Sequence, residues 1–257
     1  MLVCYDPYVG TIGRFPREEI IKIVGEAGYE GINLPVQKPF IDGTDQNQID
    51  ETAKLLAKYD LKVPSVGFGN HIVTTPSLRK ETIQHFKIVL NIAKQMNSKI
   101  IAIWPNQPKG VYVEDALDTL TANLCEMLSE ASDAGMILAL EFEKQSPLDN
   151  YIQAIAFINK TDRRLKLTCD TYHLNNYKAD PYRSVITMGG LLGDVHISGS
   201  HRHEPNSEGD EFDYRSFMKG IAQIGYDGPL SLQYHLDDVE SIARGCNFVK
   251  KLRDEIR

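Results

Sequence analysis

Short apolar runs alternate along the chain with longer segments in which apolar residues recur every three or four positions, and the alternation repeats eight times. The first run, Leu2 to Tyr5, precedes a helical segment opening near Pro16. There Ile20, Ile21 and Val24 form the apolar stripe and Gly28 stands at the C-cap. A strand at Gly31 to Leu34 precedes a helix from Gln46 to Tyr59, with Ile49, Ala53, Leu56 and Ala57 on one face. Leu61 to Phe68 is paired with a helix at Pro76 to Met96, and Lys99 to Trp104 with one at Val113 to Ala134. Met136 to Phe142 is an unbroken apolar run too short for a helix, which predicts a buried parallel strand, followed by a helix at Tyr151 to Asn159. Three further pairs complete the series: Leu165 to Cys169 with Asp180 to Met188, Leu192 to Ile197 with Tyr214 to Ile224, and Pro229 to Gln233 with Val239 to Arg257.

Strict strand and helix alternation predicts an α/β protein with a parallel sheet and right-handed crossovers. Eight units favour closure into a single (β/α)8 TIM barrel over an open sheet, and 257 residues match the typical requirement of about 250. No Pro/Gly/Ser-rich linker interrupts the series, so one domain is expected over residues 1–257. Gly28-Tyr29-Glu30-Gly31 is echoed by Gly225-Tyr226-Asp227-Gly228, which reads as one helix-to-strand turn used twice.

Composition narrows the partners. With 42% hydrophobic and 25% charged residues the chain is globular, and its formal charge of −7 repels phosphate backbones and anionic lipid. Nucleic acid and membranes are therefore not expected partners. The four cysteines, Cys4, Cys125, Cys169 and Cys246, form no CxxC pair, which suits reduced thiols in the cytoplasm. Neither a signal peptide nor an apolar stretch of about 18 residues is present.

Active sites of such barrels lie at the C-terminal ends of the strands, so polar residues that end apolar runs carry the chemistry. Glu141, Asp170, His196 and Gln233 each do so in the second half of the chain. A carboxylate buried there needs a positive partner, and a shared divalent cation would serve several groups together. Two carboxylates, an imidazole and an amide oxygen form a hard ligand set for one Mn2+, Mg2+ or Co2+ ion, with Zn2+ also accommodated. Five of the seven histidines fall beyond residue 170, among them His173, three residues after Asp170. His71 follows the third strand and is placed at the pocket mouth. Trp104 and Tyr172, both at strand ends, are candidates for stacking on a sugar face. His85, inside a helical segment, reads as a surface or packing residue.

At these residues the chain resembles the sugar isomerase/epimerase group of xylose-isomerase-like TIM barrels, which includes ketose 3-epimerases, hydroxypyruvate isomerase and inosose dehydratase. The resemblance rests on Leu140-Glu141, on Asp170-Thr171-Tyr172-His173-Leu174-Asn175, on His196 with Arg202 six residues later, and on the turn at 225–228 leading to Gln233. It implies that Glu141, Asp170 and His196 hold one divalent metal, with Gln233 at the fourth ligand position, and that His173 and Arg202 contact substrate oxygens. The implied chemistry is proton abstraction beside a carbonyl, through an enediolate, on a small sugar or sugar phosphate. Glu141 is the base, and Arg202 with Lys109 are the basic residues available to a phosphate.

Two residues depart from the group: Gln233 stands where Glu is usual, and Asn33 where an acidic residue usually ends strand two. An amide cannot act as a base. With Glu141 as the survivor of the usual pair, the sequence favours a reaction one base can complete, aldose–ketose isomerisation or dehydration of a cyclic polyol ketone, over C3 epimerisation. Glu143 and His235 are substitute acid/base groups. Two other readings stand beside this: a non-catalytic sugar-binding barrel, and an apurinic-endonuclease-like phosphodiesterase. The latter shares the Glu, the Asp-x-x-His and His203-Glu204, but Trp104-Pro105-Asn106 stands where a zinc-binding histidine is expected. The terminal amphipathic helix closes the barrel, with a homo-oligomer left open by its outer face.

Overall fold

Each apolar run of the sequence becomes a stave of one closed parallel sheet in the computed structural model, which describes residues 1–256. In chain order the elements are β1 (Val3–Tyr5), α1 (Arg17–Glu26), β2 (Gly31–Ile32), β3 (Leu34–Pro35), α2 (Gln46–Lys58), β4 (Ser65–Gly67), α3 (Arg79–Gln95), β5 (Ile100–Ile103) and α4 (Val113–Asp133). They continue as β6 (Ile137–Glu141), α5 (Tyr151–Thr161), β7 (Lys166–Asp170), α6 (Thr171–Asn176), α7 (Pro181–Met188), β8 (Leu192–Ile197), α8 (Tyr214–Gln223), β9 (Leu230–Leu232) and α9 (Ser241–Glu255). Sheet order is β2-β1-β9-β8-β7-β6-β5-β4-β3. β2 and β3 are the two halves of one stave interrupted at Asn33, the first pairing with β1 and the second with β4, so the circuit closes through eight staves.

The staves read as unbroken apolar runs because both of their faces are covered. Leu138, Leu140, Leu167, Val195 and Leu232 are all fully buried. Helices dock through one stripe each, as with Phe217, Met218 and Ile221 of α8.

Three differences from the sequence reading have local causes. The third strand is Ser65–Gly67 rather than the longer run from Leu61, because Pro64 has no N–H to continue the ladder. An unexpected helix, α6, follows β7 directly. It is only six residues long, which is too short to show a helical period, and it is nucleated by Asp170, whose Oδ1 accepts the Tyr172 N–H at 2.8 Å. The last helix starts at Ser241 rather than Val239, and Arg257, at its expected end, lies outside the described residues.

Gly31 marks where the barrel tolerates no side chain. A Cβ there would lie 2.7 Å from the Lys62 carbonyl oxygen and 2.9 Å from Cys4 Sγ. Gly31→Ala is expected to lower unfolding free energy by about 1–3 kcal/mol, measured by urea denaturation, since backbone on one side cannot yield.

Candidate active site

Polar residues at the tops of the staves converge on a cavity of about 250 Å3 at the C-terminal mouth, whose lining includes Asp6, Glu141, His173, His196, Arg202 and Gln233. Glu141 ends β6 and Asp170 ends β7. His196 lies in β8, where it pairs in register with Asp170, and Gln233 follows β9. His173 lies in α6, so the Asp170 cap that starts this helix also sets the position of the imidazole.

Glu141, Asp170 and His173 each present a ligand atom within 4.8 Å of the other two, the one such His/Cys/Asp/Glu group among the described residues. Glu141 Oε1 is 3.4 Å from His173 Nε2 and 3.8 Å from His196 Nδ1. His196 Nε2 faces Asp194 Oδ2 at 3.6 Å and Asp6 Oδ2 at 4.0 Å. None of these contacts satisfies the His196 ring: both nitrogens are buried without a hydrogen-bond partner, as is Asp194 Oδ2.

Arg202 joins two of the expected ligands. Its Nη1 donates to Asp170 Oδ2, and its Nη2 donates to Gln233 Oε1 at 2.5 Å. Beneath it, the Tyr172 ring centroid is 5.0 Å from the guanidinium carbon, so Tyr172 supports the arginine rather than standing free to stack on a sugar. Arg202 has φ +67°, a left-handed conformation rare for a long side chain, and its loop holds it there: its N–H donates to the Gly199 carbonyl and its carbonyl accepts the His235 N–H at 2.8 Å. Asp210 anchors the same loop by accepting the N–H groups of Ser200, Asn206 and Phe212 and the hydroxyl of Tyr214.

The charges of the cluster are mutually sustained. Burial alone would raise the pKa of Glu141, but the nearby imidazoles of His173 and His196 outweigh it and hold the carboxyl well below its ordinary range. Burial opposes protonation of both imidazoles, yet Glu141 and Asp170 raise His173, and Asp194 and Glu141 raise His196.

Opposite this cluster, His71 packs edge-on against Trp104 with ring centroids 4.5 Å apart, and Tyr8 Oη lies 2.8 Å from His71 Nε2. Burial lowers the His71 pKa, which keeps this wall uncharged at neutral pH. Glu143 also lines the cavity, its pKa raised chiefly by burial, whereas Lys109 and His235 do not line it. His85 lies in α3, with its ring edge-on to Phe68 and Nε2 2.5 Å from the Phe68 carbonyl.

Two acidic residues of the site escaped the sequence reading. Asp6 directly follows β1, and the same signal that marked Glu141, a polar residue ending an apolar run, was present there in the first half of the chain. Asp194 lies inside its run, and only β alternation could place it on the same inner face as His196.

Glu141 and Asp170 supply hard oxygens, and the unpartnered nitrogens of buried His196 are the kind of orphan that a cation resolves. His196 Nδ1 faces Glu141 while Nε2 faces Asp194, the arrangement of a metal-ligating imidazole backed by a carboxylate. The donor set therefore fits a divalent ion. Two of the expected ligands are engaged by Arg202, Asp170 through Oδ2 and Gln233 through Oε1, and the group within 4.8 Å contains His173 where His196 is expected.

A parallel (β/α)8 barrel with carboxylates and imidazoles gathered at its C-terminal mouth defines the class. The chain belongs to the xylose isomerase-like TIM barrel family, whose profile matches residues 21–252. A ketose 3-epimerase of Arthrobacter globiformis is 27% identical over 233 residues, covering 85% of this chain and 78% of that protein. A putative hydroxypyruvate isomerase of Drosophila melanogaster is 23% identical over 251 residues, covering 91% and 90%. The fold superposes on a D-psicose 3-epimerase from Clostridium cellulolyticum H10, solved with D-tagatose, with TM-score 0.81, 16% identity and coverage of 100% and 99%.

Removing the guanidinium isolates a carboxylate with no solvent access. Arg202→Met is expected to destabilise the metal-free protein by about 3–5 kcal/mol in chemical denaturation, because Asp170 is left buried without its cation. A second expectation concerns acid. Despite partial burial, the bonds to Asp210 lower its pKa, so its contribution to stability is full above the ordinary aspartate value near 4 and is lost as pH falls through its lower folded value. The stability gap between wild type and Asp210→Asn should therefore shrink across that acid window and stay constant above it, as read from denaturation curves over a pH series.

Proposed function

We propose that the protein is a divalent-metal-dependent enzyme that isomerises or epimerises a small unphosphorylated sugar by moving a proton on a carbon beside a carbonyl. The observation that carries this reading is Glu141: a carboxylate in the cavity at the barrel mouth, kept ionised by two flanking imidazoles and lying within 4.8 Å of the Asp170 and His173 ligand atoms. Relatives named as a ketose 3-epimerase and an L-ribulose 3-epimerase support the same reaction class.

The cation would be held by Glu141, Asp170 and His196, with Gln233 beside them, and Mn2+, Mg2+ or Co2+ suit this set better than Zn2+. Bound there, it supplies Lewis-acid polarisation of a carbonyl. The residues do the rest. Glu141 takes the carbon-bound proton, His173 and Arg202 donate to substrate oxygens, and Trp104 with His71 forms an uncharged wall against the carbon face of the sugar. A cavity of about 250 Å3 falls just below the usual range of about 300–1,000 Å3 for drug-sized ligands, which suits a monosaccharide. Among its lining residues Arg202 is the one permanent cation, already engaged by Asp170, while Asp6, Glu141 and Glu143 are acidic, an environment that opposes a phosphate group. No described helix is long and apolar enough to cross a membrane, and three of the four free cysteines are buried, in keeping with a cytoplasmic location.

Incubation with ketoses and Mn2+ in D2O separates this reading from its competitors. Solvent deuterium should enter the carbon beside the carbonyl, chelation should stop it, and Glu141→Gln should slow it by about 100-fold or more, the scale of a lost general base. Sugar binding with no exchange would instead indicate a binding barrel. Loss of water from the sugar would indicate a dehydratase.

A further inference from the structure

We propose that Asp6 is the second proton-transfer group of the site, acting on the face of the substrate carbon opposite Glu141 and making the reaction an epimerisation; this rests on the sugar isomerase/epimerase reading above. Between β1 and β6 in the sheet stand β9, β8 and β7, so the two staves are four steps apart in an eight-stave circuit and face each other across its diameter. Asp6 tops the first and Glu141 the second. Both line the cavity, and they flank His196 from opposite edges, with Asp6 Oδ2 4.0 Å from Nε2 and Glu141 Oε1 3.8 Å from Nδ1.

Asp6 is also the direct neighbour of Gln233. Tyr5 pairs with Leu232 in register, and the Asp6 N–H donates to the Leu232 carbonyl at 2.8 Å, so Asp6 and Gln233 occupy the next position on adjoining staves. The carboxylate absent from the end of β9 is thus present one stave away at the same height. Glu143 cannot take this role, since it shares the β6 side with Glu141. The Asp6 carboxylate is held in place, with Oδ1 accepting the Tyr8 N–H at 2.9 Å and Oδ2 accepting Asn33 Nδ2 at 3.1 Å. Asn33 is the residue that departs from the acidic position at strand two, and here it donates to Asp6.

The step balances without a further reactant. The C–H bond breaks, its proton goes to Glu141, and its electron pair forms a C=C bond as the carbonyl π pair moves onto oxygen. That pair then returns and the carbon takes a proton from Asp6 on the other face, inverting the centre. Each turnover leaves one proton on Glu141 and takes one from Asp6, and exchange with water resets the pair. The other epimer runs the same steps backwards, with Asp6 as base.

Asp6→Asn tests the idea, since asparagine keeps an oxygen for the Tyr8 N–H. With Mn2+ in D2O, the wild-type enzyme is offered ketose pairs that differ only at C3, D-fructose with D-allulose and D-tagatose with its C3 epimer. Exchange and inversion are followed by NMR. Wild type should exchange and invert both members of a pair. Asp6→Asn should keep exchange of one epimer within about threefold, lose exchange of the other, and lose inversion by about 100-fold or more. Asp6→Asn/Gln233→Glu should regain inversion, because the carboxylate returns one stave away. Three results would overturn the assignment: inversion by Asp6→Asn near the wild-type rate, equal loss of exchange from both epimers in a variant that melts like wild type, or wild-type exchange that yields only aldoses. The last leaves the isomerase reading standing. A wild-type protein that exchanges none of these sugars removes that reading and the Asp6 assignment with it.

Discussion

A buried carboxylate must be met by positive charge, and at Asp170 this requirement organises the whole mouth of the barrel. Asp170 has no solvent exposure, one oxygen caps α6, and the other is paired with Arg202. The cap positions His173 within reach of Glu141. The pairing draws the loop after β8 inward, and Arg202 accepts a left-handed backbone to make it. That conformation is costly in isolation, on the order of 1–3 kcal/mol, and persists because the loop is held elsewhere, by the four bonds to Asp210 and by the His235 N–H on the Arg202 carbonyl. Rigid surroundings are thus what allow a long, charged side chain to serve as a fixed part of the site.

The eight-fold pattern and most of the candidate site are legible in the sequence, because each depends on a local signal. A parallel strand covered on both faces is an unbroken apolar run, and a polar residue that ends one is conspicuous at Glu141 and Asp170. Other features escaped for physical reasons. α6 is six residues long and shorter than the window in which a 3.6-residue period can register. The break of the second stave at Asn33 arises from hydrogen bonds to two different neighbours, Asn33 N–H to the Tyr5 carbonyl and Val36 N–H to the Gly67 carbonyl, which no single segment encodes. That Arg202 bridges Asp170 and Gln233 depends on a loop closing back over the barrel. Asp6 carried the same signal as Glu141, but its significance comes from lying across the circuit, and that follows only from strand order.

Gln233 takes a different meaning in this setting. Read along the sequence, it is a missing negative charge and a missing base. In the folded site its amide oxygen accepts from the same guanidinium that pairs with Asp170. A glutamate there would share the one guanidinium with Asp170, the one with no alternative partner in solvent. The amide keeps the hydrogen bond without competing for the charge. Meanwhile Asp6 stands next to it on the adjoining stave and keeps a carboxylate on that side of the cavity. Gln233 tops a stave three steps from β6 and Asp6 one four steps away, the place that faces Glu141 most directly. The tops of the staves are equivalent in height and differ mainly in angle. What the cavity requires is the position of the charge around the rim, and more than one stave can provide it.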